Sequence, residues 1–260
     1  MQSFLCHSSR WKSNGHPIIM FLKEIETRPA EGLTKIAFQK LRADGEAIPD
    51  ILHLFRFKRR NTDYLVRFTE EVMRGASPLS VGTRELIGAY FSKKNQCSFC
   101  SDAHAAAASE YLDKGLVQEV LLDLDNSRLD FAHKELFRYI GKLAENSNRV
   151  TASDIDKLKA AGWSEEAIYD ALTVASVFKF YNTWNGGAGV RNMTSADYTH
   201  SGKVLRTMGY CMDFKLTRLI KLTLAKVMAM VGGMVMARPS KASAEVRQLS
   251  KPTPRPVTSA

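Results

Sequence analysis

The sequence is poor in cysteine, with only four in 260 residues: Cys6, Cys97, Cys100 and Cys211. A small secreted domain that depends on disulfides carries many more cysteines for its length, and this chain also lacks a convincing secretory signal peptide. The scarcity of cysteine therefore argues against a disulfide framework. It predicts a reducing compartment, for which the cytoplasm is the expected location.

A run long enough to cross a membrane is lacking too. Residues 227–237 form an apolar stretch of eleven residues, preceded by Lys221 and Lys226, whereas a membrane-spanning helix needs about 20 apolar residues. An ordinary packing helix is expected there, and association with a membrane is not.

An excess of acidic residues is also missing, since the formal net charge is +10. Residues 203–260 carry eleven Lys and Arg against two acidic residues, and residues 1–19 carry two basic residues and no acid, so residues 20–202 have a net charge of −1. A nucleic-acid-binding domain concentrates positive charge on the domain itself. We therefore expect no specific nucleic-acid partner.

These differences in composition divide the chain into three regions. Residues 1–19, Ser-rich and without acidic residues, predict a leader or disordered extension, with Met20 as an alternative start. Residues 20–211 predict one folded domain. Residues 212–260 predict a basic extension, helical at first and disordered from Arg238 onward, where Pro, Ser and Lys dominate.

Alternating strand patterns are lacking within the domain, whereas helical spacing of apolar residues recurs along it. Ser80, Thr151 and Ser164 are predicted N-caps, and Gly115 and the pair Gly186–Gly187 are predicted helix ends. The pattern predicts an all-α helical bundle with helices over residues 61–75, 81–94, 97–115, 127–147, 151–162 and 164–187.

Two of the four cysteines stand together at the predicted start of a helix. Cys97 and Cys100 share one face of it, and His104 follows on that face one turn later. A helix N-terminus stabilises a thiolate, which is the reactive form of cysteine. Glu85 lies on the preceding helix, and its carboxylate can orient the imidazole or pass it a proton if the two helices form a hairpin.

Four interpretations of this group compete. A structural zinc site needs two further ligands beyond a Cys-x-x-Cys pair, and only His104 is at hand. A static disulfide across so short a loop contributes little stability. Inert buried thiols leave Glu85 and His104 unexplained. A redox dithiol with an acid–base partner accounts for all four residues, and no motif for a metal or an organic cofactor is found.

The remaining histidines give weaker signals. His53 lies in an apolar segment and predicts a packed or interfacial side chain. His133 lies beside charged residues and predicts a solvated one. Neither is included in the candidate site.

The spacing Glu85-x11-Cys97-x2-Cys100-x3-His104 resembles the motif of the carboxymuconolactone decarboxylase-like superfamily, specifically its alkylhydroperoxidase D-type, peroxidase-related branch. The helices before and after the motif are similar to those of the branch, so the resemblance covers roughly residues 20–210. It implies an alkylhydroperoxidase D-like all-helical fold and a homo-oligomer.

The resemblance also implies roles for the four residues. Cys100 would attack a hydroperoxide and Cys97 would resolve the product as a disulfide, while His104 and Glu85 relay protons. An external dithiol, lipoyl- or thioredoxin-like, would then reduce the disulfide. The decarboxylases proper lack the dithiol, so both cysteines together argue against lactone decarboxylation.

One position departs from the alkylhydroperoxidase D pattern, because Phe99 stands where that type has a histidine directly before its second cysteine. Relay through that imidazole is therefore absent. The expected function is an antioxidant, thiol-dependent peroxidase. The alternatives are a non-catalytic redox sensor or assembly module switched by a Cys97–Cys100 disulfide, and a disulfide reductase or isomerase.

Overall fold

The computed structural model describes residues 20–210, and this part of the chain contains helices and no strand. The predicted all-α fold is therefore confirmed. None of the helices in this range combines the length and the apolar character needed to cross a bilayer. Cys6, Cys211 and the predicted leader and basic extension lie outside the described residues. The α-helices are α1 (Lys23–Thr27), α2 (Gly32–Ala43), α3 (Ile51–Phe57), α4 (Arg59–Arg74), α5 (Val81–Lys94), α6 (Ser98–Ala108), α7 (Lys114–Leu122), α8 (Phe131–Asn146), α9 (Ala152–Ala160), α10 (Glu165–Ala188) and α11 (Ser195–Met208), and a short 3-10 helix, Ser147–Arg149, follows α8.

Helix α5 lies at the centre of the domain. It packs against α4, α6, α7, α8 and α10, and every residue from Gly82 to Ser92 is buried. A surface helix would bury only one stripe of its side chains. Because α5 is covered on all sides, its charged residues Arg84 and Glu85 are buried as well, and each needs partners inside the protein.

The predicted N-caps are confirmed by their hydrogen bonds. The Ser80 hydroxyl accepts from the backbone N–H of Thr83 at 3.0 Å, which begins α5. Ser164 caps α10 in the same way, and Thr151 and Asp154 form a reciprocal capping box before α9. These short polar side chains satisfy backbone donors that have no partner within the helix.

The predicted helix ends at glycine are wrong in two places. Gly115 does not end the helix that carries the cysteines; it lies inside α7, which Asp113 caps at its start. Helix α10 continues through Gly186 and Gly187 and ends before Gly189. Gly189 has φ of 72°, the left-handed conformation that terminates a helix and that glycine adopts without strain.

The crossing of α5 and α10 depends on a small residue. A Cβ atom at Gly88 would lie 2.5 Å from the Phe178 ring, which is itself buried. We expect Gly88→Ala to lower the free energy of unfolding by about 1–3 kcal/mol, because the ring has no free space to move into. Urea unfolding measures the change.

Gly187→Ala is the matched control, since a Cβ atom there meets nothing within 4 Å. It lies on the exposed side of α10, where alanine favours the helix by about 0.5–1 kcal/mol. Equal unfolding midpoints for the two variants would contradict the close contact between α5 and α10.

Candidate active site

A helical hairpin positions the candidate residues. Helix α5 is followed by a tight turn in which Gln96 has φ of 59°, and the backbone N–H of Cys97 donates to Ser92 O at 2.9 Å. Cys97 is then the N-cap of α6. The turn brings α6 back against α5, so the first turn of α6 carries both cysteines.

The two cysteines are reduced, and their Sγ atoms lie 2.8 Å apart. A disulfide bond is about 2.05 Å long, so a movement of less than 1 Å would join the sulfurs. Cys100 is only 2% exposed, whereas Cys97 is half-buried. Of the two sulfurs, Cys97 is therefore the more accessible to a large molecule.

The two thiols differ in pKa. The hydrogen bond with the Cys100 thiol, together with one from the Cys100 backbone N–H, lowers the pKa of Cys97 despite its burial. The hydrogen bond with Cys97 and burial raise the pKa of Cys100. In the resting dithiol the thiolate is therefore favoured at Cys97, at the helix N-terminus.

An asparagine that the sequence did not reveal also contacts the dithiol. The side-chain NH2 of Asn185, on α10, donates to Cys100 Sγ at 3.2 Å. This hydrogen bond acts to lower the pKa of Cys100, since it favours the charged sulfur. Asn185 lies 85 residues from Cys100 in the chain, so no local motif marks it.

Glu85 and His104 form a second pair in the same hairpin. Oε2 of Glu85 lies 2.7 Å from Nδ1 of His104. Oε1 accepts from the Arg74 guanidinium at 2.6 Å, and the hydroxyl of Tyr210 donates to both oxygens, at 2.9 and 3.0 Å. The Glu85 side chain is fully buried, so its charge is balanced entirely by these groups.

The pKa of Glu85 reflects this balance. Burial alone would raise it, but the hydrogen bond and charge of His104 and the charge of Arg74 outweigh burial and hold the pKa below its ordinary value of 4.5. Burial raises the pKa of the Tyr210 hydroxyl, with the Glu85 charge as the next cause. At neutral pH the carboxylate is charged and the phenol is a neutral donor.

The imidazole of His104 is held in one orientation. Its ring stands edge-on to Phe178, with centroids 4.4 Å apart, and nearly parallel to Tyr210 at 6.1 Å. With Nδ1 facing the carboxylate, Nε2 is the nitrogen left for proton exchange. Within residues 20–210, no hydrogen bond joins His104 to either sulfur.

The histidines outside the site differ from each other. His53 packs edge-on against Phe38 at 5.3 Å, as expected of a packed side chain. The expectation for His133 is wrong, because its Nδ1 lies 2.9 Å from Asp130 and its ring packs against Trp163 at 5.0 Å. The charged N-cap and a distant tryptophan bury a ring that its sequence neighbours alone would leave exposed.

Phe99 joins an apolar cluster beside the dithiol. Its ring lies 6.2 Å from that of Tyr198, on α11, and both are buried together with Cys100. Phe99 therefore contributes an apolar packing side chain beside the dithiol. Among the described residues, no group of three or more His, Cys, Asp or Glu is arranged to hold a metal ion.

Comparison with known proteins bears on the fold. An uncharacterized peroxidase-related protein from Silicibacter sp. TM1040 superposes with a TM-score of 0.57 and 22% identity, over 67% of this chain and 91% of that chain. The alkylhydroperoxidase AhpD core, an uncharacterized peroxidase-related protein from Ralstonia eutropha JMP134, gives 0.58 and 19%, over 69% and 97%. No family model and no curated protein matches the sequence. The resemblance seen in the sequence is thus confirmed at the level of structure: the chain has the helical fold of the alkylhydroperoxidase D core and of peroxidase-related proteins.

Proposed function

We propose that the protein is a thiol-dependent peroxidase that reduces hydroperoxides through a dithiol/disulfide cycle at Cys97 and Cys100. The observation that carries the proposal is the pair of reduced sulfurs 2.8 Å apart, in the same helical hairpin as the buried His104–Glu85 pair. Neighbours of the same fold are peroxidase-related proteins, which supports a peroxidase over other thiol chemistry.

The first step oxidises Cys100. The proton shared by the sulfurs moves to Cys97, and the Cys100 thiolate attacks the terminal oxygen of the hydroperoxide. A sulfur–oxygen bond forms, the oxygen–oxygen bond breaks, and the leaving alkoxide takes a proton from the His104 imidazolium to become an alcohol. Sulfur loses two electrons to the peroxide and becomes a sulfenic acid.

The second step closes the disulfide. The sulfur of Cys97 attacks Cys100 Sγ, the sulfur–oxygen bond breaks, and the departing hydroxide takes the Cys97 proton and leaves as water. Glu85 holds the His104 ring in place through its contact with Nδ1 at 2.7 Å. His104 regains its proton from solvent, which readies it for the next cycle.

An external dithiol completes the cycle. Its thiolate attacks the more accessible sulfur, Cys97, and Cys100 leaves as a thiolate that the Asn185 NH2 group supports. The second thiol of the reductant then attacks the reductant's own sulfur in this mixed disulfide, which releases Cys97 as a thiol and leaves the reductant as its disulfide. A lipoyl- or thioredoxin-like dithiol fits this step. Such reductants are kept reduced in the cytoplasm, which is the compartment we propose.

We also propose that the protein acts as a homo-oligomer. Large apolar side chains are exposed on the adjacent helices α4 and α10, among them Tyr64, Phe68 and Phe180. Exposed aromatic residues of this kind are typical of surfaces that a partner covers.

The test of the peroxidase is a thiol count on reduced protein before and after tert-butyl hydroperoxide, followed by dihydrolipoamide. A variant with Cys6 and Cys211 changed to serine leaves only the two thiols of the candidate site to count. We expect loss of both thiols and their full return with the dithiol over repeated cycles. Thiols that survive excess peroxide would contradict the proposal.

One observation favours disulfide reduction as a second candidate. Cys97 is half-buried and its pKa is lowered by the Cys100 hydrogen bond, as suits the attacking cysteine of a disulfide reductase. Turnover of a small disulfide substrate without peroxide would support that activity. Oxidation that stops after one equivalent, even with excess dithiol, would indicate a redox sensor instead.

A further inference from the structure

Asn185 has an unused hydrogen-bond acceptor beside the reactive sulfur. The residue is 2% exposed, and its NH2 group donates to Cys100 Sγ at 3.2 Å. Its side-chain oxygen is buried without a partner among the described residues. A buried polar atom without a partner costs free energy, so a ligand that supplies a donor at this point would be bound favourably.

The two ends of the amide suit the two participants of the reaction. A thiolate accepts hydrogen bonds, so the NH2 end faces Cys100 when that sulfur is charged. The oxygen is bonded to the same carbon as the NH2 group, and it therefore lies within reach of a small molecule that touches the sulfur. A hydroperoxide has one hydrogen-bond donor, the O–H on the terminal oxygen, which is also the oxygen that sulfur attacks.

We propose that Asn185 is the substrate-positioning residue of this site: its oxygen accepts the terminal O–H of the hydroperoxide while its NH2 group supports the Cys100 thiolate. The inference rests on the proposed peroxidase function and defines its substrate class. Hydrogen peroxide and alkyl hydroperoxides carry the required O–H, whereas a dialkyl peroxide has none. Held in this way, the terminal oxygen lies against the sulfur before the bond forms.

The test compares two reactions of one sulfur. In a background where Cys6, Cys97 and Cys211 are serine, Cys100 is the sole thiol, and its rates with tert-butyl hydroperoxide and with iodoacetamide are measured at the same pH. Both reactions need the thiolate, but iodoacetamide has no O–H group for attack to position. The ratio of the two rates therefore cancels any change in the thiolate fraction.

We expect Asn185→Leu to lower the ratio of peroxide rate to iodoacetamide rate by about twofold to tenfold, the effect of losing one hydrogen bond between neutral groups. Asn185→Ala, which introduces no bulk, should lower it similarly and guards against misfolding of the leucine variant. Asn182→Ala is the matched control. This buried asparagine lies one turn earlier on α10, where its oxygen accepts from Ser92, and the ratio should not change.

The outcomes separate the two levels of the proposal. If both rates fall together in the Asn185 variants, or neither falls, Asn185 does not position the substrate and the inference is overturned while the peroxidase stands. If the parent protein reacts with iodoacetamide but not with peroxide, the proposed function itself fails.

Discussion

Cys100→Ser is expected to abolish peroxide-dependent sulfenic acid formation at the candidate site, leaving only the rate of the uncatalysed background. Serine at position 100 offers no thiolate. Cys100 is also the cysteine whose sulfur accepts a hydrogen bond from Asn185, and Cys97 cannot replace it in that position. The measurement is the trapping of sulfenic acid with a dimedone-type reagent, followed by mass spectrometry of the modified peptide.

Cys97→Ser is the matched variant, and it should give the opposite result. The sulfenic acid forms on Cys100 but has no partner 2.8 Å away with which to condense, so it accumulates and turnover with a dithiol stops. In the resting dithiol the thiolate is favoured at Cys97, which is not the cysteine assigned to attack the peroxide. The two variants therefore show directly which sulfur is oxidised. Sulfenic acid trapped on Cys97 in the Cys100→Ser protein would reverse the assigned roles.

The fold and the hairpin of the site were predictable because their signals are local. Helical spacing of apolar residues and the caps at Ser80 and Ser164 identified α5 and α10, and the spacing from Glu85 to His104 implied a helix, a turn and a second helix. Glycine was a weaker signal. Gly186 and Gly187 remain helical because what ends a helix is a left-handed residue, and Gly189 supplies it.

The rest of the site could not be predicted because it depends on long-range packing. Arg74 on α4, Asn185 on α10 and Tyr210 just after α11 lie far apart in the chain and meet at the hairpin only in the folded domain. A fully buried carboxylate at Glu85 needs a cation and hydrogen-bond donors. The sequence did not predict this need, because burial of α5 on every side could not be inferred from the residues of α5 alone.

Glu85→Gln should be strongly destabilising, lowering the free energy of unfolding by about 3–5 kcal/mol. The volume is conserved, but the Arg74 guanidinium, whose side chain is 13% exposed, is left without its countercharge. Urea unfolding at neutral pH measures the loss. Tyr210→Phe removes the hydroxyl that donates to both oxygens of the same carboxylate and should cost less, about 1.5–3 kcal/mol.

The pH dependence of this difference identifies its cause. The pKa of Glu85 is held below its ordinary value of 4.5 in the folded protein, by His104 and Arg74 against the effect of burial. A carboxyl group with a depressed folded pKa stabilises the protein fully above its unfolded pKa, and that contribution is lost as the pH falls through the folded pKa. The part of the gap between the parent and Glu85→Gln that comes from the Glu85 charge should therefore narrow below about pH 4.5.

Glu165→Gln provides the control for charge removal as such. Glu165 pairs with Lys159 on the surface, where its side chain is 78% exposed, and exposed ion pairs contribute little because water already solvates both charges. We expect no resolvable change in its unfolding midpoint. If Glu85→Gln also leaves the unfolding midpoint unchanged, the buried charge is not balanced by Arg74, and the imidazole of His104 has no fixed anion to orient it. Proton relay through Glu85 would then have no physical basis, whichever cysteine attacks.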